Sequence, residues 1–102
     1  MALKIYWTKK ALNNFDNILE FLVKKFGSTT ARNFAIRVHN FVDNLQYFPE
    51  LGNIQNSEKQ IRGFVIVKQV CIFYRINKDQ ITILNLFDNR QDPSKSERGI
   101  IE

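Results

Sequence analysis

A chain of 102 residues, 44% hydrophobic and 13% aromatic, fits one domain with a single core, and this apolar content excludes disorder over most of its length. The 15 basic residues outnumber the 10 acidic ones, and the resulting net charge of +5 points to an acidic partner, either nucleic acid or protein. One cysteine and one histidine exclude an internal disulfide and leave too few soft ligands for a usual zinc site, so neither a metal nor another cofactor is expected.

The N-terminus shows no charged start followed by an apolar run and a cleavage site, and no stretch approaches a bilayer span. The expected location is the cytoplasm. Residues 1–102 read as one domain, with no internal repeat and no linker.

Leu3 to Trp7 has the character of a short strand, rich in Ile5, Tyr6 and Trp7. Thr8 then offers a helix N-cap. From Ala11 the apolar residues fall at Leu12, Phe15, Ile18, Leu19, Leu22, Val23 and Phe26, the three-and-four spacing of an amphipathic helix, and Gly27 is placed to end it. Ser28 is the expected N-cap of a second helix, whose stripe of Ala31, Phe34, Ala35, Val38, Phe41, Val42, Leu45 and Phe48 continues for about five turns until Pro49. So short a link predicts an antiparallel hairpin whose two apolar stripes cover a common surface.

Glu50 to Lys59 is polar and reads as a loop. Arg62 to Val67, Val70 to Ile76 and Gln80 to Phe87 are β-branched and aromatic runs that read as strands. In the middle run Val70, Ile72, Tyr74 and Ile76 share one face, and Cys71, Phe73 and Arg75 the other. Cys71, flanked by Val70 and Ile72, reads as a buried structural thiol. The predicted class is α+β: an N-terminal strand, then a two-helix hairpin packed on one face of a small twisted, largely antiparallel sheet, in the order β-α-α-β-β-β. The uncovered face, carrying Arg75 among aromatic residues, has the composition of a binding surface.

Two cationic stretches stand out. Lys59 to Lys78 holds Lys59, Arg62, Lys68, Arg75 and Lys78 with no Asp or Glu, and Lys24 to Arg37 holds Lys24, Lys25, Arg32 and Arg37 with no acid. Such runs are either solvated faces or sites for an acidic partner. The chemical inventory is thin. There is no glycine-rich phosphate loop, no paired-Cys spacing and no serine nucleophile motif. His39 falls on the polar side of the second helix. Cleavage of RNA through its 2′-hydroxyl needs a base, an acid and cations on the phosphate, and the predicted sheet has no histidine or glutamate. Tyr74, Lys68, Asp88 and the arginines remain.

Trp7-Thr8 before a helix, the Phe48-Pro49-Glu50-Leu51-Gly52 link, Ile61-Arg62-Gly63-Phe64, Ile72-Phe73-Tyr74-Arg75-Ile76, and the run from Ile83 through Phe87-Asp88-Asn89-Arg90-Gln91-Asp92-Pro93 together resemble the RelE/ParE superfamily of toxins from bacterial type II toxin-antitoxin (plasmid stabilisation) systems. The resemblance spans almost the whole chain and rests on the order of its motifs. It implies the helical hairpin on a twisted sheet and a cognate antitoxin, for which Lys24, Lys25, Arg32 and Arg37 are candidate contacts.

The resemblance leaves the target open between two branches. ParE-like members poison DNA gyrase and have no established catalytic residues of their own. RelE-like members cut messenger RNA on the ribosome, with basic residues on the sheet and an acid-base residue near the end of the last strand. In both branches Arg62, Lys68, Arg75 and Arg90 are candidates for gripping target or phosphate; in the RelE-like branch Tyr74 and Asp88 are the catalytic candidates. Asp88 falls where many relatives carry His or Tyr. The two long helices and the missing base favour ParE-like gyrase inhibition, with a ribosome-dependent mRNA interferase as the alternative and a non-catalytic basic adaptor or degenerate toxin as the third reading.

Overall fold

A computed structural model describes residues 2–89. The elements follow as β1 (Lys4–Trp7), α1 (Lys9–Phe26), α2 (Ser28–Leu45), β2 (Asn53–Asn56), β3 (Ile61–Val67), β4 (Val70–Asn77) and β5 (Gln80–Asp88). Two helices pack on one face of a five-stranded sheet in the order β1-β5-β4-β3-β2. Strands β2 to β5 form an antiparallel meander, and β5 returns beside β1 in parallel. That parallel pair makes the helical hairpin part of the crossover between the first and the last described strands.

Thr8 starts α1 as its sequence promised. Its hydroxyl accepts the Ala11 N–H at 3.0 Å, satisfying one of the donors a helix start leaves unpaired. The same hydroxyl lies 3.1 Å from the carbonyls of Ile83 and Leu84, and the Thr8 N–H donates to Ile83, so the cap also ties the helix start to β5. At the other end Gly27, with φ 98° and ψ 168°, donates its N–H to the carbonyls of Leu22 and Val23. That backbone region is all but closed to other residues. A β-carbon there would meet nothing within 4 Å, so the backbone angle and not crowding calls for glycine.

Two details of the hairpin differ from the sequence reading. Gly27 occupies the N-cap position of α2 as well as the C-cap of α1, which places Ser28 inside the helix and leaves α2 without a side-chain cap. One shared residue leaves no room for Ser28 outside the helix. The helix also stops at Leu45, short of Phe48: Tyr47 and Phe48 donate into a turn on the Asn44 carbonyl, and the residue before Pro49 is sterically turned away from helical angles.

The core lies between the hairpin and one sheet face. Ala11, Ile18 and Leu22 of α1 and Phe34, Val38, Phe41, Val42 and Leu45 of α2 pack on Ile66, Val70, Ile72, Tyr74, Ile81, Ile83 and Leu86. Each fully buried aliphatic side chain contributes about 1.5–3 kcal/mol. Helix α1 lies along β5, and α2 reaches β3, where Phe41 stacks on Phe64 with ring centroids 4.3 Å apart. Phe15 bridges Trp7 and Phe34 across the hairpin's other end.

The predicted loop at 50–59 contains a strand. β2 pairs with β3 through Asn53 and Gly63, Ile54 and Arg62, and Asn56 and Ile61, with a register shift at Gln55. Its side chains alternate with no apolar period, so only the pairing partner defines it. A second shift lies in β5: Phe73 pairs with Asn85 and Tyr74 with Ile83, leaving Leu84 as the extra residue. Beside that bulge the Asn85 side chain takes a hydrogen bond from the Asn14 amide of α1 and another, at 2.9 Å, from the Leu86 N–H. A bulge re-aims neighbouring side chains, and here it accompanies a buried polar tie between helix and sheet.

Candidate functional site

Tyr74 is fully buried, at 0% exposure, on the helix-covered face. Its hydroxyl donates to the Pro49 carbonyl at 2.7 Å and accepts the Gly52 N–H at 2.8 Å. Burial pushes this hydroxyl above its ordinary range and Glu50 adds to the rise, while the Gly52 hydrogen bond and the Arg62 charge act the other way. A tyrosine in this state stays protonated, with its donor committed to the backbone.

Gly52 completes the arrangement. A β-carbon there would lie 2.9 Å from the Gly63 carbonyl and from the Tyr74 ring and hydroxyl, so only glycine lets the link approach β4. Arg62, half-buried and paired with Tyr74 across β3 and β4, donates to the Gly52 carbonyl at 2.7 Å. Pro49, Gly52, Arg62 and Tyr74 thus form a strut that fixes the 49–52 link against the sheet. The sequence held two signals of it, a Phe-Pro-Glu-Leu-Gly link and an aromatic inside a core strand; neither reveals that they meet.

The cationic candidates are distributed over different surfaces. Arg75, next to Tyr74 in sequence, points to the opposite face and is exposed. Arg62 shares the face of Tyr74, so the two arginines flank the sheet from opposite sides. Lys68 sits exposed in the β3–β4 turn, at the far end of β4 from Arg75, a separation of roughly 5 residues at about 3.3 Å each. Arg90 lies outside the described residues. Lys24, Lys25, Arg32 and Arg37 are all exposed on the hairpin, the first two in the last turn of α1, where cations complement the helix dipole. His39 is exposed on α2.

The second acid-base candidate, Asp88, is buried at 5% exposure where β5 ends, opposite Val70. Neither candidate group offers an open, solvent-facing proton relay. Cys71 is half-buried, less enclosed than its apolar flanks suggest, because it lies on the face without helices; burial still pushes its thiol up. Among the described residues no group of three or more His, Cys, Asp and Glu is placed to hold a metal ion.

The face away from the helices is partly apolar and cationic. The Phe73 ring lies against Gly63, where an added β-carbon would meet it at 2.9 Å, and it meets Phe87 edge-on at 5.8 Å. Val65 and Arg75 are exposed on the same face. None of the described residues of β3 and β4 is His, Asp or Glu.

A helical hairpin on one face of a five-stranded sheet is the architecture that the RelE/ParE resemblance implied. Residues 5–93 match the family model described as the ParE toxin of the type II toxin-antitoxin system, parDE, and the chain belongs to that family. The fold is similar to that in the chromosomal ParDE system of P. aeruginosa, with a TM-score of 0.71 at 19% identity over 85% of this chain and 96% of that one. It is also similar to a YoeB/ParE toxin from Agrobacterium tumefaciens, with a TM-score of 0.60 at 12% identity over 84% and 98% of the two chains. No curated protein matches the sequence.

Proposed function

We propose that this toxin acts in the cytoplasm by binding DNA gyrase through a surface, without catalysis of its own, and that a cognate antitoxin of opposite charge neutralises it. The observation that carries this reading is the state of Tyr74: sealed in the core with its hydroxyl bound to Pro49 and Gly52, it is a strut and not a proton donor to RNA. Among the described strand residues there is no histidine, and the one carboxylate, Asp88, is buried. Burial raises the Tyr74 hydroxyl further above neutral pH, so it stays protonated there. Membership of the ParE family supports gyrase as the target.

In this reading Arg75 is the chief target contact on the open face, joined by Lys68 at the β3–β4 turn; Arg90, outside the described residues, is a further candidate contact. A guanidinium stays charged and grips carboxylate or phosphate with two parallel bonds. Arg62 acts through the strut that it completes. The antitoxin follows the hairpin past Lys24, Lys25, Arg32 and Arg37, where opposite charge speeds encounter and buried apolar anchors supply most of the affinity.

The deciding experiment compares purified toxin in a gyrase supercoiling assay with the same toxin on programmed ribosomes and on naked mRNA. Inhibited supercoiling with intact message is the expected result. Cleavage of message on ribosomes with gyrase unaffected would replace this reading by the interferase one. Co-purification with the product of the adjacent gene at low salt tests the antitoxin.

A further inference from the structure

Strand β5 lies between β1 and β4, so Tyr6 pairs with Thr82 and Thr82 with Arg75, three side chains in one row on the face without helices. Ile5 and Trp7 of β1 and Ile81 and Ile83 of β5 turn inward to the core, which sends Tyr6 and Thr82 outward. Neighbouring strands lie about 4.8 Å apart, which sets Tyr6 and Arg75 roughly 10 Å from each other with Thr82 between them. Each member of the row is available. Tyr6 is 58% exposed. Arg62 commits its guanidinium to the Gly52 carbonyl, but none of the described residues is bound to that of Arg75. The Thr82 hydroxyl accepts the Gln80 side-chain amide at 3.2 Å, and a hydroxyl that accepts still has its own proton to donate. Threonine is stiff at χ1, so the strand and Gln80 together hold that donor in place.

The charges around the row favour an anion. Lys4 stands on the same face as Tyr6, opposite Gln80, and on the far side of Arg75 lies Ile61, buried at 3% exposure, where a carboxylate would have competed. No Asp or Glu occurs in residues 4–7, 61–77 or 80–87. The two turns at this end of the sheet, at Glu58-Lys59 and Lys78-Asp79, each carry one charge of either sign. Nucleic acid calls for a run of cations along a groove, and the outward positions of the described strands hold Lys4 and Arg75 alone. We infer that Tyr6, Thr82 and Arg75 form the centre of the contact with the target, and that they grip a side-chain carboxylate on an acidic segment of it. This rests on the reading of gyrase as the target. Arg75 supplies the charge and two parallel bonds, Thr82 a further donor, and Tyr6 an aromatic wall that excludes water from them. Gln80 is a positioning residue, which acts through Thr82.

Inhibition of gyrase supercoiling and affinity for immobilised gyrase, measured on the parent and on variants of matched thermal stability, test it. Arg75→Ala weakens both about 30-fold or more, Tyr6→Ala and Thr82→Val each about tenfold, and Thr82→Ser less than about threefold because it keeps the hydroxyl. Thr82→Val added to Arg75→Ala weakens binding little further, because both residues act on one carboxylate. Gln80→Met weakens the parent and has no effect on Thr82→Val, a dependence that a purely structural role cannot imitate. A parent that inhibits gyrase while Tyr6→Ala and Thr82→Val inhibit it equally well overturns the row and leaves gyrase as the target. A parent without effect on gyrase overturns the target reading and the row together. Binding of a labelled single-stranded RNA that Arg75→Ala and Tyr6→Ala both abolish overturns the row as well, by placing phosphate where the carboxylate is assigned.

Discussion

The two faces of β4 differ in what covers them: helices on one, and on the other no helix. Toward the helices, Val70, Ile72 and Tyr74 are sealed, and even the one polar group among them, the Tyr74 hydroxyl, serves the backbone of the 49–52 link. On the other face Cys71 is half-buried, Phe73 covers Gly63, and Arg75 stands in solvent. Tyr74 and Arg75 are neighbours in sequence, yet the pleat gives them opposite duties. A polar residue in a strand is judged by its face: the Tyr74 hydroxyl is bound to the backbone of the link, and the guanidinium one residue on is exposed to solvent.

Breaking the sealed face should cost the most. Tyr74→Ala removes a buried aromatic and the brace together, and is expected to destabilise the fold by about 3–5 kcal/mol, read from chemical unfolding. Tyr74→Phe keeps the packing but strips the Gly52 N–H and Pro49 carbonyl of their partner, for about 1–3 kcal/mol. If Tyr74→Phe were as stable as the parent yet lost toxicity, the hydroxyl would be catalytic after all. Gly52→Ala tests the same strut by crowding. The new methyl would press on the Gly63 carbonyl and the Tyr74 ring, with an expected loss of about 1–3 kcal/mol.

The strut also sharpens the comparison through pH. Tyr74 has its folded value raised, so the stability held in its protonated form is fully present below the unfolded value of about 10 and is lost as pH rises through the folded value. Cys71, raised in the same direction, begins the loss at lower pH, from about 8.5. Thermal midpoints between pH 7 and pH 12 should therefore fall from the alkaline side, and Tyr74→Phe should flatten the later part of that fall only. An unchanged profile in the variant would mean that the hydroxyl is not the titrating group.

On the open face the expectation inverts. Arg75→Ala should change stability by no more than about 0.5 kcal/mol, because an exposed strand cation has little packing to lose. Growth arrest at equal soluble expression should nevertheless weaken sharply. His39→Ala, on the exposed side of α2, should alter neither quantity. Toxicity lost with His39 and kept without Arg75 would move the contact surface from the sheet to the hairpin.

The sequence by itself determined the elements that carry a period or a cap. Thr8, the apolar spacing from Ala11 to Leu45, the breaks at Gly27 and Pro49, and the alternation through β4 specify both helices and three long strands, because helix and strand periods are local properties. The family order of motifs, from Trp7-Thr8 to Asp88-Asn89, was legible in the same way. Tertiary structure decided the rest. Strand β2 exists only because β3 lies beside it, and the shift at Leu84 exists only in the pairing of β4 with β5. The union of Pro49, Gly52, Arg62 and Tyr74 joins residues up to 25 positions apart through one hydroxyl and one guanidinium. No local pattern encodes such a meeting, because it depends on how the chain closes around its core, and it is that closure which turns Tyr74 from a candidate acid into a structural brace.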